Sequence, residues 1–245
     1  MKPVLLITIF IAFFLMNAHA QRFSVGVRGG LTIPNLSNGG NDPLSRGYSS
    51  REGIGFGVFT DFKISKLFSI QPMLEYSQQG AKHNGLQAFS NPYAGQQDQP
   101  AFLYADFKSE VKINYLMLPV LAKFGWNLGH QSPWRIYIDA GPFAGLLLNA
   151  HQIMGGTSEI YLDNQKTQPT GQQYNFDDTE NIKSSIHNFN FGIEGNVGIA
   201  YKFKKHTIFF EGGGNYGLMN IQKDPQDGKN HSGAATIMMG YTFTF

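Results

Sequence analysis

Apolar and polar residues alternate with a period of two along most of this chain. In "RFSVGVRGGLTI", Phe23, Val25, Val27, Leu31 and Ile33 fall on one face, and Ser24, Gly26, Arg28, Gly30 and Thr32 on the other. That is the period of a strand. "GIGFGVFTDF" sets Ile54, Phe56, Val58 and Phe62 against Gly53, Gly55, Gly57 and Asp61, and "LFSIQPMLEYSQ" sets Phe68, Ile70, Leu74 and Tyr76 against Ser69, Gln71, Glu75 and Ser77. Pro72 is awkward in a central strand. The pattern continues through "SEVKINYLMLPVLAKFGW", "WRIYIDAGPFAGLLL", "HNFNFGIEGNVGIAYKF" and "HTIFFEGGGNYGLMNI". In the sixth block, the clearest, Phe189, Phe191, Ile193, Val197, Ile199, Tyr201 and Phe203 oppose Asn190, Gly192, Glu194, Asn196, Gly198 and Lys202. The eighth, "GAATIMMGYTFTF", keeps Ile237, Met239, Tyr241, Phe243 and Phe245 on one set to its last residue, where a soluble domain is usually frayed and polar.

The connections between these eight blocks alternate in length. Those after strands one, three, five and seven are long (34–52, 80–108, 149–187 and 220–232), whereas "KISK", "NLGHQSP" and "KKH" are short. Outer-membrane barrels alternate long extracellular loops with short periplasmic turns in this way, and eight is the smallest common bacterial barrel. A lipocalin-like soluble binder, the alternative that keeps the chain in the periplasm, has no physical reason to gather every long connection at one end. The long connections, such as "NPYAGQQDQPAF" and "DNQKTQPTGQQYNFDDTEN", are polar and rich in turn formers, which favours mobility over packing. The expectation is an all-β fold: one eight-stranded antiparallel up-and-down transmembrane β-barrel over residues 21–245.

The amino-terminal stretch "MKPVLLITIFIAFFLMNAHAQ" combines Lys2, an apolar run from Val4 to Met16, and Ala18 and Ala20 framing a small-residue cleavage site. It predicts a secretory signal peptide over residues 1–20, cleaved after Ala20, with no cysteine following to take a lipid. Past it no apolar run is long enough for a helical span, so insertion into a bilayer requires a closed barrel. The 29 glycines among 245 residues are about 12%, against about 7% on average. With 14% aromatic and 15% charged residues, this suits a lipid-facing barrel. A formal charge of +2 and no basic run exclude nucleic acid as an expected partner.

Charges recur on the nonlipid face: Arg28, Glu75, Lys112, Asp139, Glu194 and Glu211, one from each of six strands. A lipid-facing Arg or Lys at the bilayer midplane costs about 2 to 4 kcal/mol, so these side chains are expected in the lumen. An eight-stranded lumen is just wide enough for its own side chains, which favours a polar network filling it over a narrow conduit or a catalytic centre. Strand four is apolar on both faces from Tyr115 to Ala122, so periodicity leaves its facing open. His187 near Ser184 and Ser185, and His231 before Ser232, are the pairs an acyl hydrolase would use, but such pairs are common in loops. The acids of "FDDTEN" (Asp177, Asp178, Glu180) and of "KDPQDGKN" (Asp224, Asp227) lack the spacing of a calcium loop. "GIGFGVF" and "GIEGNVGIA" lack the strand-to-helix context of a phosphate loop, and Gly53, Gly55 and Gly57 are read instead as making room inside. Neither a cofactor nor a metal is implied.

"NYLMLPVLAKFG" around Pro119, "YIDAGPFAGLLL" around Gly141 and Pro142, "FFEGGGNYGLMNI" around Glu211 and Gly217, and the aromatic carboxyl terminus together resemble the Bacteroidetes outer-membrane β-barrel proteins, the porin-like group that includes the PorT-type proteins. The resemblance implies an outer-membrane protein in contact with lipid, a barrel-insertion machinery that reads Tyr241, Phe243 and Phe245, and an envelope protein partner in secretion or assembly. A small porin-like channel and a lipid-modifying barrel enzyme are the other functions the sequence leaves open.

Overall fold

The structure, a computed structural model, describes residues 23–38, 43–97, 99–224 and 228–245. The expected signal peptide and its cleavage after Ala20 lie outside the described residues. Eleven strands follow in chain order: β1 (Phe23–Asn38), β2 (Gly53–Lys63), β3 (Phe68–Ser90), β4 (Phe102–Asn127), β5 (Trp134–Gly155), β6 (Thr157–Tyr161), β7 (Pro169–Asn175), β8 (Asp178–Asn181), β9 (Phe189–Phe203), β10 (His206–Gly217) and β11 (Asn230–Thr244). Eight of them form a ring, each antiparallel to its neighbours: β1, β2, β3, β4, β5, β9, β10 and β11. β11 returns to β1 from Ser24 opposite Thr244 to Asn38 opposite Asn230, so the sheet has no free edge within the ring.

The alternation is inverted relative to a soluble protein. Leu31 is 58% exposed while its neighbour Thr32 is 0% exposed, and Val27 is 51% exposed beside Arg28 at 4%. Apolar side chains face outward around the ring, among them Phe56, Val120, Ile138, Ile193, Phe210 and Met239. Exposure of so continuous an apolar surface is stable against lipid, not water. At the end carrying the short turns, aromatic rings cluster outside: Phe68 on Phe124, Trp134 on Tyr201, and Phe23 on Phe245. Girdles of this kind mark the level of an interface. We call this the turn end, and the opposite one the loop end.

The long connections are more ordered than their composition predicts. β3 runs on to Ser90 and β4 begins at Phe102, so most of 80–108 is a hairpin rather than a loop. Between β5 and β9, the polar segment 156–188 contains β6, β7 and β8; β6 pairs with β4 through Tyr104 opposite Tyr161, and β8 pairs with β5. These strands lack an apolar face because above the lipid belt water wets both sides, and backbone pairing holds them without a period-two signal. A small core of Ala105, Phe107 and Phe176, with Phe89 and Met154 packed against it, ties this extension together.

Inside the ring at the turn end, Phe59, Met73, Leu121, Tyr137, Ala200 and Phe209 form a closed apolar layer. Its three rings are seated on glycines of neighbouring strands: a Cβ on Gly26 would collide with Phe59, on Gly198 with Tyr137, and on Gly240 with Phe209 and the Val27 carbonyl. Gly240→Ala is therefore expected to destabilise the barrel by about 1 to 3 kcal/mol, as overpacking does. Gly212→Ala, whose Cβ would meet nothing nearer than the Thr236 carbonyl at 3.9 Å, should be nearly neutral. Urea unfolding of both variants in detergent checks this, and equal stabilities would show that the ring of Phe209 is not seated against Gly240.

Candidate functional site

The lumen gathers the charged side chains into one layer. Arg28 of β1 stands opposite Gly57 of β2 and Gly240 of β11. Its long stem crosses the lumen. Its Nε donates to Glu75 Oε2 at 2.8 Å, and Nη2 donates to the same oxygen. Nη1 reaches Glu211 Oε1 at 2.8 Å and Nη2 reaches Glu194 Oε1 at 2.6 Å. One guanidinium thus binds carboxylates from β3, β9 and β10, a use of its planar fork that a lysine could not copy. Tyr137 donates to Glu211 Oε2 at 2.6 Å. Asn196 donates to Asp139 Oδ1 at 2.8 Å and to Glu194 Oε1 at 3.1 Å.

Lys112 is not part of this layer. β4 turns its odd-numbered residues inward, including Tyr115, Met117 and Leu121. Lys112 has the other parity: its side chain is 39% exposed and its Nζ lies 3.5 Å from Glu110 Oε2. It stands opposite Gly80 and His151, above the lipid belt, where an outward charge meets water and the cost that argued for the lumen does not arise. The cation beside Asp139 is Lys123, which sequence reasoning missed. Its Nζ donates to Gln71 Oε1 at 3.2 Å, lies 3.9 Å from Asp139 Oδ2, and sits 3.7 Å from the centre of the Tyr137 ring. Its parity with Tyr115 and Leu121 was the available signal, hidden because both faces of that stretch are apolar.

Toward the loop end the lumen turns apolar again. Val111, Ile113, Tyr115, Phe143 and Leu147 pack with Ile186 and Ile221, which come from the connections after β5 and β10. Those connections are held down by backbone bonds: His187 N to Ile221 O at 2.8 Å, and Ile182 N to Ala150 O at 3.1 Å. Arg51, from the connection after β1, donates to Glu110 Oε1 at 2.9 Å and to the Gln79 carbonyl at 3.3 Å.

The side chains of the His231 and Ser232 pair are engaged elsewhere. His231 Nδ1 lies 3.2 Å from the Gly217 carbonyl, and the Ser232 hydroxyl accepts a bond from Asn190 at 2.7 Å. Ser184 and Ser185 offer their carbonyls to Lys223. Of the loop acids, Asp177 accepts from the Gly156 amide at 2.8 Å, and Asp227 lies outside the described residues. Among the described residues, no three carboxylate or histidine groups are placed to hold a metal ion.

The outer membrane protein β-barrel domain family matches residues 17–223. Among solved structures, the chain is similar to the Neisserial surface protein A, with 13% identity over 91% of this chain and 97% of that one and a TM-score of 0.40. It is similar to the attachment invasion locus protein Ail of Yersinia pestis, with 10% identity over 91% and 98% and a TM-score of 0.38. It is also similar to a major outer membrane protein of Thermus thermophilus, with 13% identity over 93% and 100% and a TM-score of 0.44. No curated protein matches the sequence.

Removing one partner of a buried charge cluster typically costs about 3 to 5 kcal/mol, because the remaining charges lose compensation. Arg28→Met should therefore destabilise the folded barrel by that order, whereas Lys112→Ala, at an exposed pair, should change stability by less than about 1 kcal/mol. Unfolding midpoints of the two variants check this. A larger loss from Lys112→Ala than from Arg28→Met would overturn the placement of the charged layer.

Proposed function

The chain belongs to the outer membrane protein β-barrel domain family and lies in the bacterial outer membrane, and from that premise we propose that it is a closed, non-conducting barrel presenting a folded platform to a protein partner at the cell surface. It is not an enzyme on this reading; its role is to anchor and to bind. The observation that carries the proposal is the lumen, closed by three successive layers of unlike chemistry. The aromatic layer of Phe59, Tyr137 and Phe209 comes first, then the Arg28 layer, then the apolar plug of Ile113, Tyr115, Ile186 and Ile221. An ion crossing it would have to displace all three.

The platform is the extension of β3, β4 and β5 with β6 to β8. Its own core and the pairing of β6 with β4 and of β8 with β5 fix its shape, so binding there loses less conformational entropy than binding by a mobile loop. The stretches that resemble the Bacteroidetes PorT-type barrels support placing the chain in that group. A part in a secretion or assembly complex is the form of partner binding that this implies. The purified protein in planar bilayers should show no steady conductance, and reproducible single-channel steps would place it among the pores.

The outward aromatics Tyr241, Phe243 and Phe245 of the closing strand are the segment we assign to recognition by the insertion machinery. Phe245 also stacks on Phe23 at 4.8 Å and meets Phe243 edge-on at 5.1 Å, across the seam where β11 closes on β1. Deleting Phe245 should leave processed but unassembled chain in the periplasm, read by fractionation and by mobility of unheated samples on a gel. Normal assembly of the deletion at ordinary expression would reduce the residue to an interface contact.

A further inference from the structure

The turn end of the lumen is a dead-end vestibule of about 780 Å³, a size that suits a small solute. Its inner wall is Tyr137 and Phe209, with Lys123 over the Tyr137 ring. Six cations line it, Lys63, Lys66, Lys123, Arg135, Lys202 and Lys204, against one carboxylate, Asp61. The charge is built in by strand parity. Lys63, Lys123, Arg135 and Lys202 share the inward parity of buried Phe59, Leu121, Tyr137 and Ala200 on four different strands. Arg135 is held by two bonds to the Lys66 carbonyl, at 3.2 and 3.1 Å.

We propose that this vestibule is a binding site for a soluble phosphorylated solute of nucleotide or sugar-phosphate size, entering from the periplasm. Cations gathered in a cul-de-sac repel one another, and low-dielectric walls focus their field onto whatever anion enters. Lysine ammonium groups act as point charges that suit phosphate from several directions, and the guanidinium adds a planar fork. Seven serine and threonine residues in the lining supply hydroxyl groups for phosphate and sugar oxygens. A folded acidic partner cannot enter a pocket walled by the ring. Nor can the bilayer supply the anion, because the strands stand between these inward cations and lipid. Lys205 is the contrast: it lies on the outside, 5.9 Å from the Phe243 ring, at the level where lipid headgroups are met.

The test is isothermal titration of the full-length folded protein, in zwitterionic detergent and in phosphatidylcholine vesicles, with ADP and inorganic pyrophosphate as probes. Both should bind, and the combined substitution Arg135→Gln with Lys202→Gln should weaken binding at least about tenfold, a loss of roughly 1.4 kcal/mol. Lys205→Gln should leave it unchanged. Mobility of unheated samples confirms that each variant is folded. Three results would overturn the proposal: no binding of either probe by the wild type, equal binding by the double variant, or tighter binding of a glutamate-rich peptide than of pyrophosphate. Loss of binding when phosphatidylglycerol replaces phosphatidylcholine would assign the cations to lipid headgroups, and would overturn it as well.

Discussion

A ring of eight strands leaves an interior only as wide as the side chains that fill it, and every inward side chain must find its partners there. The outer face imposes the opposite demand, since lipid accepts only apolar groups at its depth. One backbone with a period of two serves both solvents, so within the lipid belt the polar residues of this chain have a lumenal address set by parity. Arg28 is where that demand is met: three carboxylates from β3, β9 and β10 converge on one guanidinium. Because these strands are far apart in sequence, the layer can form only once the ring is closed. Its energy therefore supports the register of the whole barrel rather than any single hairpin.

The glycines make this crowded interior possible. Gly57 and Gly240 flank Arg28 in the ladder; the space over Gly57 goes to Glu75 and Met73, and that over Gly240 to the Phe209 ring. Large and small residues alternate between neighbouring strands, so that a bulky side chain on one fills the space that a glycine leaves on the next. The glycine content of the chain is thus a packing requirement of a narrow barrel.

This logic explains which parts of the structure could be read from sequence. β1 and β9 were legible because their alternation is clean and their inward positions carry Arg28, Glu194 and Asn196. β4 was not, because from Tyr115 to Ala122 an apolar outward face meets lipid while apolar inward residues such as Tyr115 and Met117 pack with Phe143, Leu147, Ile186 and Ile221, and a period of two vanishes when both sides are greasy. That is how Lys123 was passed over; Lys112 was assigned to the lumen for another reason, because above the lipid belt Val111 and Ile113 turn inward while Glu110 and Lys112 turn out to water. The extension beyond the lipid belt was illegible for the converse reason. In β7 both faces of "PTGQQYN" are exposed, so no amphipathic signal distinguishes strand from loop. In a linear reading the vestibule charges were scattered over a turn and three strand ends, and only the ring shows that Lys63, Lys123, Arg135 and Lys202 line one space.

The two ends of the barrel differ in a way that bears on direction. At the loop end, Ile186 and Ile221 descend into the lumen and are fixed by backbone bonds, so access from that side requires local unfolding of the connections. At the turn end the lumen stays open down to Tyr137 and Phe209, and its lining is cationic. A solute driven by electrostatics can therefore approach the Arg28 layer from one side only, and before reaching it meets an aromatic wall backed by carboxylates that repel an anion. The same charge sequence that attracts an anion into the vestibule opposes its passage further. Attraction at the mouth and repulsion at the centre make a holding site of the turn end, and they do so without any moving part, by the order in which cations, rings and carboxylates are stacked along the barrel axis.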